Sequence, residues 1–149
     1  MPDIAHVFDG DTLTGDWLFG AGGAVVDAGL ETAVVLSLFT DARALPSDAL
    51  PDGSTDRRGH WADAVTGRPK GSRLWLLSRE VTRQVVARRA EDYAREALAW
   101  MIDDGVADRI DVAAGIEGLD RLGLVITLWR DGAEIYAGRF GTIWKAIAA

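Results

Sequence analysis

Cysteine is absent from the chain's 149 residues, so disulfides, thiolate metal sites and thiol catalysis are excluded and stability must come from packing. Histidine is nearly absent too, with two residues, His6 and His60, in segments that share no spacing rule. A zinc site would need further nitrogen or sulfur ligands at suitable positions, and no such set exists. A basic balance is also missing. The net charge of −7 and pI near 4.7 leave no general field to hold a polyanion, so nucleic acid is not an expected partner. No apolar run approaches the roughly 20 residues that cross a bilayer, and MPDIAHVFDGDTL lacks both the basic start and the apolar stretch of a signal peptide. The expectation is a soluble protein made and used in the cytoplasm, or released by lysis, with no membrane partner.

Apolar residues make up 48% of the chain and charged residues 26%, which is ordinary globular usage. One domain over residues 1–149 is therefore expected. Residues 1–29 form its N-terminal hairpin region. Between Asp16 and Ala28, DWLFG and AVVDA read as short strands joined by a turn that Gly20, Gly22 and Gly23 permit. In GLETAVVLSLFT, Leu30, Val34, Val35 and Leu38 recur at helical spacing, which predicts a short buried helix over Leu30 to Phe39.

From residue 40 to 71 periodicity is lost, and Pro46, Pro51, Gly53, Gly59, Gly67 and Pro69 punctuate a loop of roughly thirty residues, a length that is uncommon unless functional or disordered. It holds Arg57, Arg58, His60, Trp61, Arg68 and Lys70, with Arg73 just beyond. Arginine offers planar, bidentate contacts to an acidic surface and tryptophan is enriched in binding hot spots, so these residues form a candidate docking surface. The competing reading is internal pairing with Asp52, Asp56 and Asp63, which are close in sequence. The adjoining LWLL run, Leu74 to Leu77, is too continuous for a one-sided surface element and is expected to be buried.

From about Ser78 to Asp104 the apolar positions Val86, Ala90, Tyr93, Ala97 and Met101, flanked by Val85, Ala94 and Leu98, predict a long helix over residues 78–104. Ser78 is placed to cap it, Glu80 suits its positive end, and Gly105 is placed to stop it. Arg88/Asp92 and Glu91/Arg95 are expected i,i+4 pairs. Beyond Gly105 the period becomes two. Ile110 and Val112, then Leu122, Leu124, Ile126 and Leu128, and after the turn Arg130-Asp131-Gly132 the run Glu134 to Phe140, predict an antiparallel meander over residues 107–144. Helices grouped before consecutive strands argue an α+β fold with the long helix across one sheet face.

Chemical motifs are not apparent. Asp9-Gly10-Asp11 lacks the remaining oxygen ligands and terminal Glu of a calcium loop, so a turn is the better reading. Gly20, Gly22 and Gly23 have neither GxGxxG spacing nor a following GK[ST]. Glu31, Glu80 and Glu96 each have a helix-surface or helix-end explanation, and no two carboxylates stand out as a hydrolytic pair. No cofactor, small-molecule substrate or enzymatic activity is expected.

Three segments, LETAVVLSLFTD (Leu30 to Asp41), LPDGSTDRRGHWAD (Leu50 to Asp63) and GSRLWLLSRE (Gly71 to Glu80), together with DDGVADRIDV (Asp103 to Val112), resemble the small tail baseplate proteins of Mu-like contractile phages. That family is similar in its core to the short wedge protein and sheath initiator of T4-like tails. Two positions depart from the pattern. An aromatic residue is more common where this chain has His60, and the Glu-Pro-Arg element of the T4-like proteins falls near Val106 to Arg109, where only Arg109 corresponds. The resemblance implies a noncatalytic part of the virion tail baseplate, assembled in the host cytoplasm and held by the large wedge protein, with contacts to the sheath or hub. A C-terminal sheet edge over Glu134 to Trp144, including Ile135, Tyr136, Phe140 and Trp144, is the expected site for an added partner strand. A tail-borne lysozyme-like hydrolase and an acidic regulatory module are the alternatives.

Overall fold

The structure, a computed structural model, describes residues 29–77, 84–117 and 121–140, together with short strand segments between residues 3 and 27. In the N-terminal part, β1 (Asp3–Ile4) pairs with β6 (Val26–Asp27), β2 (His6–Asp9) with β3 (Thr14–Trp17), and β4 (Phe19–Gly20) with β5 (Gly23–Ala24), all antiparallel. The expected glycine hairpin is the β4/β5 pair. Asp16 and Trp17 of β3 fall in the DWLFG run expected as a strand, whereas β1, β2 and the start of β3 carry no strand signal because their apolar runs are interrupted by Asp and Gly.

The first described helix, α1, spans Leu30–Phe39 and turns Val34 and Leu38 into the core. The long loop follows, with one short helix, α2 (Asp63–Thr66), and then Leu74–Leu77 as a buried 3-10 turn. The main helix, α3, spans Gln84–Leu98, and after Ala99 the chain continues as α4 (Trp100–Asp103). Ala99 between them keeps helical dihedrals, φ −58° and ψ −29°, and its N–H reaches the Glu96 carbonyl at 3.4 Å, so the helical path continues to Asp103 through one tightened turn, while the expected start at Ser78 and Glu80 lies outside the described residues. The buried face of α3 is mostly small: Ala87, Ala90, Ala94 and Ala97 let the axis approach closely, while Val86, Tyr93 and Leu98 fill the remaining space. Val85, read from sequence as part of that face, is exposed.

Gly105 ends the helical stretch as expected, and the geometry explains why. Its φ is 74°, its N–H donates to the Ile102 carbonyl at 3.1 Å, and the Val106 N–H donates to the Met101 carbonyl at 2.8 Å. This crossed pair satisfies carbonyls that the helix end would otherwise orphan, and the left-handed backbone it needs favours glycine.

Strands β7 (Arg109–Glu117), β8 (Arg121–Arg130) and β9 (Ala133–Phe140) form one antiparallel sheet in the order β7-β8-β9. Asp131 and Gly132, at φ 54° and 76°, make the two-residue turn between β8 and β9, a conformation whose twist matches the flanking strands. Leu122, Leu124, Ile126 and Leu128 are fully buried on one face of β8, each worth about 1.5–3 kcal/mol of apolar transfer. Opposite them on the same face lie Val112 on β7 and Phe140 on β9. Helix α3 covers this face chiefly over β7, and α1 reaches β9, where Phe39 meets Phe140 edge-on with centroids 5.5 Å apart. The architecture is α+β, helices on one face of a C-terminal antiparallel sheet.

Candidate interaction surface

The long loop is held at its base. Thr40 and Ser72 are bound through the Ser72 N–H to the Thr40 carbonyl at 2.8 Å, and the Ala42 N–H donates back to the Ser72 carbonyl at 2.9 Å. The buried Ser72 hydroxyl donates to the Leu38 carbonyl at 2.5 Å, and Trp75 Nε1 donates to the Ala42 carbonyl at 2.8 Å. Between these ties sits Gly71 at φ 89°, where an added Cβ would lie 2.1 Å from the Thr40 oxygen. No other residue fits there.

The arginines of the loop are tied to the protein itself. Arg57 donates to the Leu45 carbonyl at 2.5 Å, and Arg58 pairs with Asp41 at 2.6 Å while lying 4.4 Å over the Trp75 ring. Arg68 makes a forked contact with Asp104 at 2.9 and 3.3 Å; that carboxylate raises the guanidinium's pKa further. Arg73 is largely buried, with Asp48 at 2.9 Å on one side, Glu96 at 2.7 Å on the other and the Tyr93 ring beneath it. Glu96 above all, then Asp48, hold its pKa up against the opposing effect of burial.

Internal pairing therefore occurs, with Asp41, Asp48, Glu96 and Asp104 as partners and not with the sequence-adjacent Asp56 and Asp63; the Asp52 side chain lies outside the described ones. Asp56 and Asp63 bind loop amides: Asp56 accepts from the Arg58 N–H, and Asp63 accepts from the His60 and Lys70 N–H groups. Contacts across 17 to 36 residues carry no local sequence signal.

Two loop residues are set differently. Trp61 is 82% exposed, its ring 5.5 Å from that of His60, and His60 is half-buried with Nδ1 accepting the Ala62 N–H at 3.2 Å. The Lys70 ammonium makes no ion pair among the described residues. Trp75, by contrast, is core, as its place in LWLL implied.

The sheet's two edges differ as well. Glu91 of α3 accepts the Ala114 N–H at 2.9 Å, and Arg95 donates to the Val112 carbonyl at 3.1 Å, so side chains of α3 occupy the outer edge of β7. Arg95 also pairs with Glu91 and Asp92, each at 3.6 Å, the latter in place of the Arg88/Asp92 pair expected from sequence. Since the backbone groups of Val112 and Ala114 point away from β8, the antiparallel alternation turns the backbone groups of Ile126 toward Gly138, and those of Ala137 away from β8. Within the described residues β9 pairs with β8 alone.

On β9 a register shift opposite Leu128/Trp129 sets Ile135 at the core margin. Tyr136 folds over Gly138, whose added Cβ would lie 2.2 Å from the phenol oxygen. Burial pushes the Tyr136 phenol well above its usual range and the neighbouring Glu31 carboxylate adds to this, yet the hydroxyl has no hydrogen-bond partner of sound geometry. Phe140 is buried in the core, and Trp144 lies outside the described residues. Among the described residues no cluster of three His, Asp or Glu side chains could hold a metal ion, and no helix is long and apolar enough to cross a membrane.

The long loop is thus braced by its own arginines with Trp61 projecting from it, and the sheet is closed along β7 by side chains of α3. The chain belongs to the family described as Phage protein GP46, which it matches over residues 30–134. It is 54% identical over 90 residues to baseplate protein gp46 of Escherichia phage Mu, across 60% of this chain. Identity to the Mu-like prophage FluMu protein gp46 of Haemophilus influenzae is 37% over 101 residues, 67% of each chain. The match spans 62% of the length of the Mu relative.

Proposed function

We propose that this chain is a noncatalytic structural component of the tail baseplate of a Mu-like contractile phage or prophage, bound to the larger wedge protein, with initiation of the sheath as a second task. Its site of action is the virion tail, and its assembly takes place in the host cytoplasm. Support comes from the family and from the similarity to the Mu relative, a baseplate protein. The observation that carries the mechanism is the asymmetry of the sheet: α3 side chains fill the β7 edge, while Ala137 on β9 turns its backbone groups outward. An outward strand edge accepts a partner strand through main-chain hydrogen bonds, which gives affinity without any bond chemistry.

The second contact is the loop, with Trp61 as its anchor. Arg57, Arg58, Arg68 and Arg73 serve it by holding the loop in shape, since each already has an internal partner, and the His60 ring lies beside the anchor. Along the edge, Ile135, Tyr136 and Phe140 set the shape of β9, with Trp144 further along the chain. Trp61→Ala tests the loop. Because the side chain is exposed, the isolated fold keeps its stability within about 0.5 kcal/mol, while incorporation into tails falls. Unchanged incorporation would remove the loop from the interface.

A further inference from the structure

A groove of about 440 Å³ runs between α1, the end of the loop and the α3/α4 junction. Its apolar surface comes mainly from Ala33 and Leu36 of α1, Ala97 and Trp100. Helix α1 sends Val34, Ser37 and Leu38 inward, so Leu36 is turned outward and is 60% exposed. The indole N–H of Trp100 is already spent on Ser37 Oγ at 2.9 Å, which leaves the ring as apolar surface with no unmet polar demand.

The charge of the lining is opposite to that of the chain. The protein carries a net −7, yet among the described residues the groove is lined by His60, Arg68 and Lys70 and by no carboxylate. Arg68 is committed to Asp104, outside the lining. Lys70 is different. Its backbone N–H is fixed by Asp63 Oδ1 at 3.1 Å and its neighbour Gly71 is wedged against Thr40, so the base of the side chain is pinned while its ammonium has no partner among the described residues. A lysine fixed at its backbone beside an apolar slot, with its ammonium unpaired among the described residues, suits a ligand that carries an anion and an apolar group a short distance apart.

We propose that this groove docks an acidic segment of a neighbouring baseplate polypeptide, with an apolar side chain against Leu36 and Trp100 and a carboxylate at Lys70 Nζ. The proposal rests on the baseplate reading above. It adds a third contact, separate from Trp61 and from the β9 edge, and states its chemistry.

The absence of cysteine makes a direct test possible, because Leu36→Cys places a single thiol in the full chain. Maleimide labelling of that thiol is compared between the free protein and purified assembled tails, and a benzophenone carried on the thiol identifies the neighbouring segment by mass spectrometry. The expected result is fast labelling of the free chain, protection in tails, and a cross-link to another baseplate polypeptide within a few residues of an Asp or Glu. Lys70→Glu lowers incorporation by about tenfold or more at moderate salt, whereas Lys70→Arg retains it and both keep the thermal midpoint of the parent. Equal labelling in tails and in the free chain overturns the proposal while leaving the baseplate reading intact. So does a cross-link to a second copy, to a bound small molecule or to a segment without carboxylates. Absence of the chain from tails overturns both.

Discussion

Glu91 of α3 accepts the backbone N–H of Ala114 on β7 at 2.9 Å, so a helix side chain stands where a further strand would pair. Glu91→Ala leaves that amide without its partner and loosens the Arg95 pair. The expected cost is about 1–2 kcal/mol in denaturant unfolding, with faster hydrogen exchange at Ala114. If the exchange rate of Ala114 is unaltered, the helix does not close this edge.

Arg73→Ala removes the shared partner of Asp48 and Glu96. Asp48 is largely buried and would keep only the Leu45 N–H at 2.7 Å, with no opposing charge, so the loss is expected to reach about 3 kcal/mol, well above that of an exposed pair. Arg58→Ala, at a pair with both members nearly half exposed, is the comparison and costs about 1 kcal/mol or less. Equal losses in the two variants would contradict the ranking.

Much of this was legible in the sequence where the signal is local. The alternation of Leu122, Leu124, Ile126 and Leu128 identified the buried face of the sheet, and Leu30, Val34 and Leu38 marked α1. What stayed hidden depends on residues far apart in the chain. Arg73 finds Asp48 and Glu96 at separations of 25 and 23, and Glu91 meets Ala114 only after the chain has turned at Gly105. The tightened turn at Ala99 is silent for a different reason: alanine and the residues around it favour helix, so propensity does not tell an i,i−3 bond from an i,i−4 one.

Gly71→Ala forces a Cβ to within 2.1 Å of the Thr40 oxygen at a φ of 89°. Both the clash and the backbone conformation oppose it, and a loss of about 2 kcal/mol or more is expected, with the Thr40 to Ser72 ties the first to open. Gly53→Ala also has a positive φ but open space around it, and should cost about 1 kcal/mol. A variant at Gly71 as stable as the parent would show that the loop base can rearrange.

Tyr136→Phe deletes a buried hydroxyl that has no hydrogen-bond partner, so stability at pH 7 is expected to hold or rise by up to about 1 kcal/mol. The phenol's pKa is raised in the folded chain. The folded state thus holds the proton more tightly, and this contribution is intact below the ordinary tyrosine value of about 10 and lost as pH climbs past it. Denaturant midpoints at pH 7 and in alkali, with and without the substitution, read both effects. A loss above about 1 kcal/mol at neutral pH would mean that the hydroxyl is bonded after all.

The most direct measurement of the central claim is hydrogen exchange on this chain in purified assembled tails against the free protein. The account predicts that the chain is present, that the β9 segment around Ala137 gains strong protection, and that the Ala114 region of β7 changes little. Absence of the chain from tails, or its presence with unaltered exchange along β9, would contradict it.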